Sequence, residues 1–219
     1  MKLQELSKPK SLTEIAYGAI HESILSGQLT VDVVYKEKNL AEDLGISRTP
    51  VREALLALSS EGLITFLPRK GLVVNKFSTQ DIEEIFEIRE SIELASVKKI
   101  CRNHALLDFS QLRSCFENQK ESLNTQHGAS EFMDLDRAFH MAISELVGNS
   151  RLVSIMNNVR DKVHLMGLRA LLIEGRMEEV IDEHEKIIDA VENGREDEAL
   201  ALMEHHLCRS KKSVKINQI

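Results

Sequence analysis

Apolar positions along this chain follow two rhythms. Leu40, Ala41 and Leu44 mark one helical face, and Val51, Ala54, Leu55 and Leu58 mark a second, with Gly45 between them. That spacing predicts a helix, a tight turn and another helix. Ser47 stands where an N-cap belongs, and Pro50 falls in the first turn, where backbone N–H groups lack intrahelical partners in any case. Upstream, Tyr17, Ile20 and Ile24 predict an amphipathic helix ending near Gly27. Downstream, ITFLPRKGLVVNKF (64–77) alternates short apolar runs around Pro68, Arg69, Lys70 and Gly71, the pattern of a hairpin with a basic tip.

From Ser78 onward only helical periodicity remains, as in Ile82, Ile85, Phe86, Ile88, Ile92 and Leu94. The spacing predicts about six helices, over 79–104, 109–124, 130–147, 150–173, 177–193 and 195–213. His127-Gly128, Gly148-Asn149, Glu174-Gly175 and Asn193-Gly194 supply stop signals, and Ser78, Ser130 and Ser150 are candidate caps. The expected fold class is mainly α: three helices plus a β-hairpin in residues 1–77, then an all-α bundle in residues 78–219.

Charge sharpens the division. The net charge of −7 is unpromising for a nucleic-acid binder until it is split by region. Residues 1–77 carry ten Lys plus Arg against nine Asp plus Glu, whereas residues 78–219 carry eighteen against twenty-six. A local basic face governs phosphate contact, and Lys38, Arg48, Arg52, Arg69 and Lys70 supply one. Arg48 and Arg52 are one helical turn apart with Thr49 between them, placed to read guanine bidentately or to clamp phosphate; the plainer alternative is two solvated arginines. Aromatic residues make up 4% of the chain and are missing from the second helix of the pair, which argues against base stacking with RNA or single strands. Cys101, Cys115 and Cys208 lack paired spacing, so neither a disulfide framework nor a thiolate metal site is expected. No apolar run approaches the length of a membrane span and no signal segment opens the sequence, so a cytoplasmic location is expected.

LGISRTPVREAL…EGLI with its Gly-tipped hairpin resembles the winged helix-turn-helix of GntR-type bacterial transcription regulators. The resemblance implies that Arg48 and Arg52 read bases, that Lys38 and Thr49 contact the backbone or nearby bases, and that Gly71 lets the wing tip, with Arg69 and Lys70, approach the minor groove. Two departures stand out: Lys38-Asn39 replaces the usual Arg-Glu, and the Pro-Gly that ordinarily precedes the second helix is missing from LTVDVVYKEKNL.

In the second region Asp136 and His140 are spaced i to i+4, which sets a carboxylate and an imidazole side by side. His184 lies on the stripe of Ile181, Ile187, Ile188 and Val191, and His206 extends that of Ala199, Leu202 and Met203. Three helices thus turn candidate ligands inward, a set compatible with zinc, nickel, iron or manganese. The alternative is that each histidine is a satisfied polar residue of a helical core. This region resembles the FCD-type ligand-binding domain of the FadR branch, through EIRESIE, the D-x-x-F-H helix and the two later histidines. The resemblance implies a divalent transition metal, with zinc placed first, on Asp136, His140, His184 and His206, His205 being the alternative if the register slips by one. It also implies that Arg89 reaches a small carboxylate effector, while an i,i+4 ion pair with Glu93 is the local alternative. The resulting expectation is a homodimeric repressor on a pseudo-palindromic double-stranded DNA operator, with no catalytic residues, since neither a nucleophile nor a general-base signature accompanies the metal set. The competing expectation is a metal-free regulator whose bundle serves only to dimerise or binds its effector without a metal.

Overall fold

The computed structural model describes residues 9–124, 128–167 and 170–216, with the side chain of Leu172 outside that set. Two compact units divide between Lys76 and Phe77.

The first unit holds α1 (Leu12–Leu25), α2 (Glu37–Asp43), α3 (Arg48–Ser60), β1 (Ile64–Leu67) and β2 (Gly71–Val74). Ser11 starts α1 through a reciprocal cap, its hydroxyl accepting from Glu14 N while its own N–H donates to the Glu14 carboxylate at 2.7 Å. Ala16, Ile20 and Ile24 of α1, with Val51, Ala54, Leu55 and Leu58 of α3, make a fully enclosed interior. Gly45 takes a φ of +66° in the turn between α2 and α3, which suits a residue without Cβ. Ser47 occupies the N-cap position but its side chain makes no capping hydrogen bond. The strands pair antiparallel from Ile64 opposite Val74 to Leu67 opposite Gly71.

The segment that lacks Pro-Gly turns at Asp32, whose φ is +66°, and then pairs with the hairpin. Tyr35 N–H donates to Leu72 O at 2.8 Å, and Leu72 N–H returns the bond to Tyr35 O at 2.9 Å. This close approach explains Gly71 within the protein itself: at its φ of +138° a Cβ would lie 2.1 Å from Tyr35 O.

The second unit comprises α4 (Thr79–Asn103), α5 (Ser110–Ser122), α6 (Gly128–Leu146), α7 (Ser150–Gly167), α8 (Arg176–Glu192) and α9 (Glu196–Ile216), with 3-10 turns at His104–Leu106 and Ala170–Leu172. Ser78 caps α4 together with Asp81. Helix α4 packs along α9, α5 along α6, and α8 along both α5 and α9. Phe116, Phe132, Phe139, Ile143, Ile187 and Met203 lie in the apolar interior.

Three local expectations change. Ser130 lies inside α6, because that helix already begins at Gly128. Asn149, not Ser150, caps α7, its Oδ1 accepting from the N–H groups of Arg151 and Leu152 at 3.1 and 3.3 Å. The helix expected over 150–173 ends at Gly167, where an added Cβ would come within 2.4 Å of Met133 Cε; residues 168–169 lie outside the described set, as does His127 of the His127-Gly128 stop signal.

Candidate metal centre and DNA-reading face

Two arginines, Arg89 and Arg160, are among the largest fully buried side chains of the protein. A buried guanidinium must be matched, and the groups that match these two surround a compact polar centre in the second unit.

Asp136 and His140 reach it from α6, His184 from α8 and His206 from α9, and one donor atom from each lies within 4.8 Å of all the others. His140 Nε2 is 3.8 Å and His184 Nε2 3.7 Å from Asp136 Oδ1, and the Nε2 atoms of His140 and His206 are 3.2 Å apart. His205 is exposed, so the helical register selects His206.

The outer nitrogens explain why the inner ones point inward. His140 Nδ1 meets Glu93 Oε2 at 2.5 Å, His184 Nδ1 meets Gln119 Oε1 at 2.8 Å and His206 Nδ1 meets Glu183 Oε2 at 2.6 Å. A carboxylate or amide oxygen only accepts, so each Nδ1 carries a proton, and in the neutral imidazole each Nε2 then presents a bare lone pair. Two such lone pairs 3.2 Å apart repel unless a cation or donor stands near them. Arg89 Nη2 donates to His140 Nε2 at 2.9 Å, but His184 Nε2 is buried without a hydrogen-bond partner among the described residues. Three imidazoles tethered by acceptors on their far nitrogens, with one carboxylate, form a donor set suited to a divalent transition metal.

The electrostatics agree. Burial, followed by the charge of Arg89, pushes His140 well below the ordinary imidazole range, and burial followed by His206 does the same to His184, so both are neutral, ligand-competent bases. Burial alone would raise the Asp136 carboxyl, but Arg160, His140, His184 and Arg89 together hold it far below the usual carboxylate range. Glu183 is likewise raised by burial, yet its hydrogen bonds with His206 and Arg176 bring it down to about 2.

Arg89 makes the local ion pair that its spacing from Glu93 predicts. Its Nε donates to Glu93 Oε1 at 2.6 Å, and it also lines a pocket beside the cluster. This pocket contains about 390 Å³ including its open mouth, with Arg89 and Asp136 on its wall, apolar surface from Phe86, Met133 and Val163, and Arg176 among its polar residues. Sequence reasoning passed over Gln119, Arg160 and Glu183. A signal existed for the first two: Gln119 shares the buried stripe of Leu112 and Phe116 on α5, and Arg160 that of Met156 and Val163 on α7.

In the first unit Arg48, Thr49 and Arg52 are exposed at the start of α3. Lys38, exposed in the first turn of α2, lies 3.5 Å from Glu42. Arg69 and Lys70 are exposed at the hairpin tip, where Arg69 has a φ of +63° and Lys70 N–H donates to Leu67 O at 3.1 Å. Gly71 is half-buried against Tyr35.

A winged helix-turn-helix followed in the chain by a helical bundle with a polar centre is the build of a DNA-binding transcription regulator. The chain belongs to the GntR family of bacterial regulatory proteins: that family matches residues 12–74, and the FCD domain matches residues 84–209, more than half of the chain. Among its relatives, the gluconate operon transcriptional repressor of Bacillus licheniformis is 31% identical over 77% of this chain and 70% of its own length, and that of Bacillus subtilis is 29% identical over 92% and 83%. A GntR transcriptional regulator from Rhodococcus sp. RHA1 has the same fold, with a TM-score of 0.84 at 21% identity over 96% of this chain and all of that one. E. coli McbR/YncC gives 0.83 at 22% identity over the same shares. No helix among the described residues is long and apolar enough to cross a membrane.

Proposed function

We propose that the protein is a metabolite-controlled repressor, acting in the cytoplasm as a homodimer on a pseudo-palindromic operator, with a divalent transition metal on Asp136, His140, His184 and His206 and a small carboxylate as its effector. The observation that carries the metal reading is the inward set of three Nε2 lone pairs, one of them without a partner, each fixed by an acceptor on Nδ1. Zinc is the first candidate, since it accepts imidazole and carboxylate ligands without a geometric demand from d electrons. A bound ion would supply a positive centre for an effector carboxylate, and Arg89 is placed to donate to the same anion. The names of the gluconate operon relatives fit a carboxylate effector and a repressing role.

Arg48 and Arg52 serve as base readers, Thr49 and Lys38 as backbone contacts, and Arg69, Lys70 and Gly71 as the wing tip. One recognition helix covers few base pairs, so two copies related by a two-fold axis are needed to specify a site. Helix α4 begins three residues beyond Lys76 and carries Arg89 and Glu93, so a ligand that prefers one position of α4 acts on the segment leading from the DNA-binding unit. A metal-free reading draws on the bond from Arg89 Nη2 to His140 Nε2, which satisfies one lone pair without an ion; the unpartnered His184 Nε2 opposes it.

Elemental analysis of protein purified without chelator tests the metal, with one ion per chain expected. Protein that arrives metal-free and takes up neither zinc, nickel nor manganese would refute that part while leaving the DNA-reading face untouched. Light scattering and operator gel shifts with and without carboxylates test the dimer and the repression separately.

A further inference from the structure

The enclosed charges around the cluster balance without an ion. Arg89, Arg160 and Arg176 are 1%, 0% and 3% exposed, and each is matched by one enclosed carboxylate, Arg176 also reaching the exposed Glu179 at 3.2 Å. Arg89 pairs with Glu93 at 2.6 Å, Arg160 with Asp136, and Arg176 with Glu183 through contacts of 2.8 and 3.0 Å. Imidazoles that hold a metal through Nε2 while keeping a proton on Nδ1 are neutral, so the three histidines of a loaded site contribute no charge. A divalent ion added to this set leaves two positive charges in a low-dielectric interior, a state that persists only if an anion enters with it or after it.

The same region has donors in need of acceptors. Arg160 Nε and Nη1 are buried and have no hydrogen-bond partner among the described residues. Arg89 Nη2 rests on the lone pair of His140 Nε2, the very lone pair a metal would take, so loading the site releases a third donor. Arg160, Val163 and Gly167 fall at i, i+3 and i+7 on α7, and the last two line the pocket that also contains Arg89 and Asp136. Arg160 does not itself line that pocket, but its partner Asp136 does, so its idle donors are enclosed one residue behind a pocket with apolar walls.

Resting on the metal reading above, we propose that the effector is a short-chain dicarboxylate, whose two negative charges neutralise the loaded centre and whose oxygens accept from Arg160 and Arg89. A monocarboxylate such as gluconate meets half of that charge, and a neutral polyol meets none. Arg160 is then the residue that selects for the second carboxylate, while Arg89 serves any carboxylate.

The test uses the full-length protein loaded with zinc, its metal content measured before any anion is added. Calorimetry and thermal shift then compare malonate, succinate, malate and glutarate with propionate, butyrate, lactate and gluconate. At least one dicarboxylate is expected to bind about tenfold or more tightly than every monocarboxylate, the range set by hydrogen bonds to charged groups. Arg160→Lys, which keeps the charge and loses the planar fork, should narrow that preference while zinc stays at one per chain. The proposal is overturned if a monocarboxylate or gluconate binds as well as the best dicarboxylate, or if no member of the panel binds the zinc-loaded protein. The parent comparison decides the matter even if the variant fails to fold. Protein that takes up no metal defeats the metal reading, and with it the charge argument, at the first step.

Discussion

Replacing Gln119 by leucine isolates what a tethered imidazole is worth to the proposed centre. Gln119 is fully buried on α5 and joins the site through His184, whose Nδ1 donates to its Oε1 at 2.8 Å. Phe139 stacks on the imidazole with ring centroids 3.8 Å apart and holds its plane, so Gln119→Leu leaves the ring in position but removes the acceptor that selects the Nδ1–H tautomer. Loss of such a partner typically lowers metal affinity about 10- to 100-fold, which is roughly 1.4 to 2.7 kcal/mol. Stability without metal should change far less. Stranding the His184 Nδ1–H costs about 1 to 3 kcal/mol, but the substitution also deletes Gln119 Nε2, which is buried without a partner among the described residues and carries a comparable penalty. Zinc competition against a chromogenic chelator reads the affinity, and thermal melts with and without zinc read the rest. Metal-induced stabilisation shrinks by the same free energy when zinc is well above both dissociation constants. In a unit of this size that is a metal-induced Tm gain smaller by roughly 4 to 10 °C. A variant that melts cooperatively and binds zinc within about twofold of the parent, well under the effect normally produced by losing such a partner, refutes the role assigned to the tether.

Other perturbations address separate parts of the argument. Arg52→Ala should weaken operator binding by about 1 to 3 kcal/mol and relax selectivity at one position, with no change in melting; unchanged affinity and selectivity in a gel-shift series would remove Arg52 from base reading. Gly71→Ala drives a Cβ to 2.1 Å from Tyr35 O at a φ of +138°, so the DNA-binding unit should lose on the order of 2 kcal/mol or more in denaturant titrations, and a neutral result would mean that the Tyr35 pairing is dispensable. Stability of the metal-free protein should fall as pH drops below the ordinary imidazole range. Folded His140 and His184 resist protonation there while the unfolded chain takes up protons, giving a slope of up to about 1.4 kcal/mol per pH unit for each histidine. Glu183, held at about 2, adds a further loss below the ordinary glutamate range. Melts in the presence of chelator measure this, and a Tm that stays level from about pH 7.5 to 5, across the unperturbed imidazole range, contradicts the buried neutral imidazoles.

What was legible in the sequence was what short-range spacing controls. The turn at Gly45, Pro50 in the first turn of α3 and the three-residue tip Pro68 to Lys70 are local events, and they form where the apolar rhythm predicts. The inward stripe read from Ala199, Leu202 and Met203 also carries over to His206, which is buried beside Met203 and Leu207. Periodicity could say which side of a helix faces inward but not which partner waits there. The bonds that orient the histidines join residues 47, 65 and 23 positions apart, and the Arg160 to Asp136 pair spans 24. Polar residues on apolar stripes were the available hint for Gln119 and Arg160. Helix starts were misplaced for a different reason: Asn149 and Ser150 are both good capping residues, and only the direction of the Asn149 carbonyl decides between them.

The distribution of the site over the bundle bears on how binding becomes a signal. Arg89 and Glu93 come from α4, Gln119 from α5, Asp136 and His140 from α6, Arg160 from α7, Glu183 and His184 from α8, and His206 from α9. All six described helices of this unit therefore contribute to one polar network in which Gln119 Nε2, His184 Nε2 and two Arg160 donors, without hydrogen-bond partners among the described residues, carry a desolvation cost until something satisfies them. A ligand that satisfies them gains only in the arrangement that brings the six helices together, and this differential gain is what shifts a conformational equilibrium. Tight binding alone is insufficient: an anion with equal affinity for both arrangements of α4 would fill the pocket and regulate nothing. Arg89 supplies a source of difference, because the same Nη2 serves His140 when the site is metal-free and becomes available to an anion once a metal takes that lone pair. Metal loading and effector binding then act in sequence on one side chain of the helix that leads out of the DNA-binding unit, and the operator affinity should respond to the effector only in the loaded protein.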